Sequence, residues 1–190
     1  MTFTERYQNY VNMILAEHQA VFDAQNMEEL STFIQTIMEA RRIFVVGAGR
    51  EGIAARSFAM RIMHLGKETY WLWDDTTPGM KEGDLFLAVD GSGKIGHIDY
   101  LVDQSFHTGA RVAVITGAPQ ERIPQAADCV LFVPAAVYKG TDPRAVQSAQ
   151  PMGNLFEQHL FLLFDIVVML LREEMGLSYE QMESRHRNIE

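Results

Sequence analysis

Ile43-Phe44-Val45-Val46-Gly47-Ala48-Gly49-Arg50-Glu51-Gly52 runs four large apolar residues straight into a glycine-rich turn. A run that short, rich in β-branched and aromatic side chains, reads as a strand buried on both faces, and the glycines permit a tight turn into a helix. The same pattern recurs at Thr69-Tyr70-Trp71-Leu72-Trp73, Leu85-Phe86-Leu87-Ala88-Val89, Val112-Ala113-Val114-Ile115-Thr116 and Cys129-Val130-Leu131-Phe132-Val133. Helical segments over roughly 52–65, 96–108 and 121–127 separate these runs. Alternating strand and helix predicts an α/β chain with a single doubly wound five-stranded parallel sheet flanked by helices.

Outward from that core, residues 1–41 contain neither glycine nor proline, and apolar residues at helical spacing predict two helices ahead of the first strand. Residues 42–150 supply the sheet and a long loop over 134–150, and residues 151–190 supply a long helix over 152–175 and a short one near 178–186. No repeat or linker divides the chain, so 1–190 reads as one domain, large enough to bury a core unaided. Trp71 and Trp73 alternate onto one face of their strand and read as core beneath a helix.

Composition narrows the function. The net charge of −9, with a pI near 5.1, comes with no Lys/Arg cluster, which argues against nucleic acid as a partner. The single cysteine, Cys129, lies in an apolar strand, so a disulfide framework and a cysteine metal site are not expected, and a cytoplasmic setting fits. The apolar run from Leu160 to Leu171 is too short to span a bilayer and carries Asp165, so no membrane role is expected. The last helix and the first each carry more apolar surface than one sheet layer can cover, which predicts a homo-oligomer.

In a sheet of this kind ligands sit beyond the carboxyl ends of the strands. Two glycine turns occupy that edge: Gly49-Arg50-Glu51 after the first strand, and Asp90-Gly91-Ser92-Gly93-Lys94 after the third. The first has the glycine spacing of a dinucleotide fingerprint, but the acidic residue expected after the second strand is only loosely matched by Asp74 and Asp75, and a nucleotide cofactor is not expected. Further along, Gln150-Pro151-Met152-Gly153-Asn154-Leu155-Phe156-Glu157-Gln158 places one carboxylate, Glu157, in the first turn of an otherwise apolar helix, where the helix dipole favours negative charge. Asn154, Glu157, Gln158 and Asp165 share one polar stripe at about 100° per residue. Glu157 is the candidate catalytic base, whereas His159, roughly 160° around the helix, is not its partner.

Taken with Met60-Arg61-Ile62-Met63-His64-Leu65-Gly66, Thr76-Thr77-Pro78, Lys81-Glu82-Gly83-Asp84 and Arg185-His186-Arg187-Asn188, these motifs resemble the sugar isomerase (SIS) family, and within it the 6-phospho-3-hexuloisomerases. The resemblance covers nearly the whole chain. It implies a flavodoxin-like sandwich and a homo-oligomer, typically a tetramer. It also implies an enzyme that interconverts ketose and aldose forms of a small anionic sugar through an enediol, without metal or organic cofactor. By resemblance Glu157 matches the base and His64 a second catalytic group; His186, in the C-terminal segment, is a third candidate as ring-opening acid. Gly49, Arg50, Glu51, Asp90, Gly91, Ser92, Gly93, Lys94 and Gln158 are the candidate substrate-binding residues. His64 ends its helix about 18 Å from the ligand-facing end, so it can serve only a neighbouring subunit's site.

The chain departs from the family at its anion site. Glu51 stands where a serine is usual, and Asp90-Gly91-Ser92-Gly93-Lys94-Ile95 replaces Ser-Gly-Ser-Gly-Glu-Thr. A carboxylate against a phosphate dianion costs on the order of several kcal/mol in a partly dry site. A sulfonate, a neutral end or an amino end are the alternatives left open, as is a non-catalytic sugar-binding protein.

Overall fold

The computed structural model describes residues 1–140 and 142–189. Two helices, α1 (Phe3–Ala24) and α2 (Met27–Glu39), lead into β1 (Arg42–Gly47), α3 (Gly49–His64), β2 (Glu68–Trp71), β3 (Leu85–Val89), α4 (Gly96–Phe106), β4 (Arg111–Thr116), α5 (Arg122–Ala126) and β5 (Cys129–Phe132). A 3₁₀ turn at Pro151–Gly153 then opens α6 (Asn154–Glu174), and α7 (Tyr179–Glu183) follows. All pairings are parallel and the strand order is β2-β1-β3-β4-β5, the doubly wound order with its topological switch between β1 and β3. The predicted five-stranded sheet and its three layers are therefore present.

Alternation along each strand feeds two cores. Ile43, Val45, Leu85, Leu87, Val89 and Ile115 pack beneath α2, α3 and α6, while Phe44, Val46, Phe86, Ala88, Val112 and Val114 pack on Ile98, Val102 and Ile123 of the opposite layer. α3 lies against α6 through the stacked rings of Phe58 and Phe164, 4.3 Å apart. Below the amino ends of the strands Asp84 is buried, taking Arg42 on both oxygens at 2.7 and 3.1 Å and Arg41 at 2.6 Å. Burial alone would raise the Asp84 pKa, but the Arg42 hydrogen bonds, the Lys81 amide and both guanidinium charges outweigh it and hold the group below its ordinary value.

Three expectations need correction. β2 is shorter than the 69–73 run and is an edge strand, half covered where burial on both faces was expected. Only Trp71 packs against the core; Trp73 lies past the strand end, half exposed, with its ring 6.1 Å from that of His97. Last, α6 starts at Asn154, because Met152 and Gly153 have positive φ (58° and 79°) and break the turn containing Pro151 from the helix proper. The helix is not covered all round: Phe161, Leu162, Ile166 and Met169 form an exposed apolar face. The 24-residue stretch Pro151–Glu174 is long and apolar enough to cross a membrane by composition, yet half of its most apolar window is buried, as suits a helix packed on α3.

Candidate active site

The site forms at the switch point, where β1 and β3 diverge and their loops leave a crevice beyond the sheet. β1 ends at Gly47, whose Cα faces Gly52: a Cβ on Gly47 would come within 2.9 Å of the Gly52 Cα, so glycine at both places lets α3 start close to the sheet. This puts Arg50 and Glu51 in the first turn of α3, pointing at the loop after β3 and at the start of α6.

Arg50 spans to α6. Its Nη1 donates to Asn154 Oδ1 at 2.5 Å and lies 3.1 Å from Glu157 Oε2, an ion pair without hydrogen-bond alignment. Glu157 is partly covered, in the first turn of α6 as the sequence predicts. Glu51 meets the other loop: its Oε2 accepts from the Gly91 N–H at 2.8 Å. A Cβ on Gly91 would fall 2.5 Å from Glu51 Oε1 and 2.8 Å from the Phe156 ring, so glycine here lets carboxyl, loop and helix meet. Burial raises the Glu51 pKa to about 8; the Gly91 hydrogen bond opposes this, and the charges of Asp90 and Glu157 add to it. At neutral pH this carboxyl is protonated.

The remaining loop residues divide differently from the sequence reading. Asp90 is fully buried: Oδ1 accepts from the Ser92 hydroxyl at 3.0 Å and the Gly93 N–H at 2.8 Å, and Oδ2 from the Ile95 N–H at 2.9 Å. It shapes the turn rather than lining the crevice, because its two oxygens satisfy the amides that lead into α4. The Ser92 oxygen also accepts from the Lys94 N–H at 3.3 Å. Lys94 turns to Glu121, 3.0 Å away, an acidic neighbour that the spacing of the motifs does not reveal. Gly49 (φ 55°) and Gly93 (φ 66°) hold left-handed backbone that favours glycine.

Gln158 faces away from Arg50. Its Oε1 lies 3.3 Å from His18 Nε2, and His18 Nδ1 lies 3.2 Å from His159 Nδ1 in a buried pair that braces α6 against α1. Burial, with His18 alongside, pushes His159 down to about 4. One residue back, Glu17 accepts from the Ser148 hydroxyl (2.7 Å), the Ala149 N–H (2.9 Å) and the Gln150 side chain (2.9 Å), fixing the chain just before α6. Sequence reasoning passed over Asn154 as an Arg50 partner, Glu17 and Glu121; nothing in the motif spacing points to them.

His64 and His186 are brought together, but elsewhere. Their rings stack with centroids 5.3 Å apart in a groove of about 1010 Å³ shared with Arg61, Asp165, Met169 and Arg187. Arg185 donates to the His64 carbonyl at 3.1 Å. His64 is the last residue of α3, fifteen residues beyond Gly49, and about 22 Å of helix separates it from the Arg50 end. Burial lowers its pKa, and the Arg61 charge and His186 lower it further. Among the described residues no cluster of His, Cys, Asp or Glu could hold a metal ion.

Comparison with known proteins decides the family. The SIS domain profile matches residues 36–149. The chain belongs to the SIS domain family. It is 36% identical to the 3-hexulose-6-phosphate isomerase of Bacillus subtilis over 95% of this chain and 97% of that one. It is also 36% identical to the enzyme of the same name from Mycobacterium gastri, over 86% and 81% of the two chains. Among solved structures, a Methanococcus jannaschii protein whose structure infers a 3-hexulose-6-phosphate isomerase function superposes with a TM-score of 0.81 at 24% identity, covering 96% of this chain and 99% of that one; it supports the fold. The resemblance read from the motifs is thus correct, and these two relatives are by name isomerases of a sugar phosphate.

Proposed function

We propose that this SIS protein is an aldose–ketose isomerase acting on a hexulose 6-phosphate or a close anionic analogue. The observation that carries the reading is the placement of Glu157: a carboxylate in the first turn of α6, at the switch point, 3.1 Å from Arg50 and between the two glycine turns. Isomerisation needs a base that moves a proton between adjacent carbons and a partner that handles the oxygens. Glu157 takes the proton from the carbon next to the carbonyl and returns it to the neighbouring carbon. Arg50, already oriented by Asn154, is placed to stabilise the negative oxygen of the enediolate. The relatives' names support the phosphate. Arg50 and Lys94, the cations at these loops, are already paired with Glu157 and Glu121, which favours a second candidate, a sulfonate, carrying one negative charge rather than two.

The working unit in this reading is a homo-oligomer, a tetramer by family resemblance. The exposed face of Phe161, Leu162, Ile166 and Met169 supplies the apolar surface for it, and it allows His64 and His186 of one subunit to approach Glu157 of another. Mixing inactive Glu157→Gln and His64→Ala subunits then restores part of the activity; no recovery on mixing removes His64 from the reaction.

Solvent deuterium exchange, followed by NMR on 3-hexulose 6-phosphate and on sulfonated and uncharged hexuloses, tests the chemistry. Exchange at the carbon beside the carbonyl, lost in Glu157→Gln, is expected. Binding without exchange in the wild type marks a sugar-binding protein instead.

A further inference from the structure

The crevice holds more acid than base. Arg50 is committed to Asn154 and Glu157, and Lys94 to Glu121. Asp90 lies buried in the turn after β3, close enough for its charge to act on Glu51, and Glu157 faces the crevice from α6; no lysine or arginine among the described residues pairs with Glu51. Glu51 lies between these two carboxylates with one oxygen on the Gly91 amide, in the first turn of α3 at the switch point, the place in such a sheet where ligands bind. An ionised Glu51 leaves two cations against four carboxylates, and a charged sugar is turned away. A protonated Glu51 keeps Oε2 as the acceptor for Gly91 and frees Oε1–H to donate, and a hydrogen bond from a carboxylic acid to an anion is among the strong ones.

We propose that Glu51 is a specificity residue that binds the anionic end of the substrate as a neutral carboxylic acid, so that capture of a charged sugar is linked to protonation of this one side chain. The inference rests on the sugar-phosphate reading above. Burial and the flanking carboxylates already hold the proton at neutral pH. An anion on Oε1–H raises the proton's affinity further, so binding above pH 8 draws a proton from solvent, and below pH 7 it draws none. Above pH 8 the phosphate is essentially all dianion and does not imitate the effect.

Calorimetry with glucitol 6-phosphate, which lacks a carbonyl and cannot turn over, reads the linkage directly. At pH 8.5 to 9, titrations in two buffers of different ionisation enthalpy are expected to show uptake approaching one proton per site, and affinity is expected to fall by close to tenfold per pH unit above pH 8. In Glu51→Gln the uptake and the pH slope both disappear, and uncharged glucitol shows neither in the wild type. Binding in the wild type without proton uptake, or uptake that persists in Glu51→Gln, overturns the proposal, and the wild-type heats alone suffice if the variant does not fold. No binding at pH 7 overturns it together with the sugar-phosphate reading. Proton-linked binding in a protein that shows no solvent exchange on hexulose 6-phosphate removes the isomerase reading and leaves the role of Glu51 intact.

Discussion

Two buried carboxyl groups at opposite ends of the sheet are handled in opposite ways. Asp84, below the amino ends of the strands, sits among Arg41, Arg42 and the Lys81 amide and is held ionised. Glu51, beyond the carboxyl ends, has one amide for a partner, two carboxylates for neighbours and no cation, and is held protonated with a pKa near 8. The first arrangement stabilises the fold, since every charge has its opposite. The second costs stability, and a carboxyl so perturbed at the switch point is what marks this end of the sheet as the candidate site. A carboxyl at one end clamps the strands; the other leaves a proton available for chemistry or recognition.

The comparison can be broken most sharply at the site itself. Glu157→Gln is expected to lower isomerase turnover by about 10²–10⁴-fold, the usual worth of a positioned base, while melting within a few degrees of the wild type. A variant with unchanged turnover removes Glu157 from the mechanism. Next in size is the clamp. Asp84→Asn leaves Arg42 without its buried partner and is expected to cost about 3–5 kcal/mol in denaturant unfolding. Because the folded pKa of Asp84 lies below the unfolded value, its contribution is complete above that unfolded value and is lost as the pH falls through the folded one. Wild type and variant therefore converge in acid.

Glu51 carries the opposite sign. With a folded pKa of about 8 against an ordinary 4.5, the wild type loses stability as pH rises between those values, and Glu51→Gln escapes the loss. The variant is expected to be about 3 kcal/mol more stable than the wild type at pH 8, after allowance for partial exposure, and no more stable at pH 4. Equal stability at pH 8 places Glu51 in an ordinary carboxylate environment. The smallest effect belongs to the His18–His159 pair, which lies on neither side of the comparison. His159, held near 4, costs stability as the pH falls from 6.5 through 4, and His159→Gln flattens that limb of the acid unfolding curve.

Much of the fold was legible because each strand is a short apolar run bounded by turn residues. The doubly wound order follows once five such runs alternate with helices. What failed were places where local pattern and tertiary position disagree. The Thr69–Trp73 run looks like a central strand, but it lies at the sheet edge, where apolar residues are only half covered. α6 reads as starting at residue 152, but the positive φ of Met152 and Gly153 delays it to Asn154. At the candidate site, the structure brings Arg50 to Glu157 and Glu51 to Gly91, residues that the motifs had singled out. Spacing could not show that Asp90 turns inward to its own loop, or that Lys94 is taken by Glu121, since both depend on side-chain direction. His64 and His186 share a groove, but helix length places His64 far from Glu157 within one chain.

The contrast between the two carboxyl groups is tested most directly by carboxyl ¹³C NMR on one uniformly labelled sample, following Asp84 and Glu51 together from pH 3 to pH 10. The account predicts that Glu51 titrates near pH 8 while Asp84 stays ionised to below the ordinary aspartate range. A Glu51 resonance already ionised at pH 6 contradicts it.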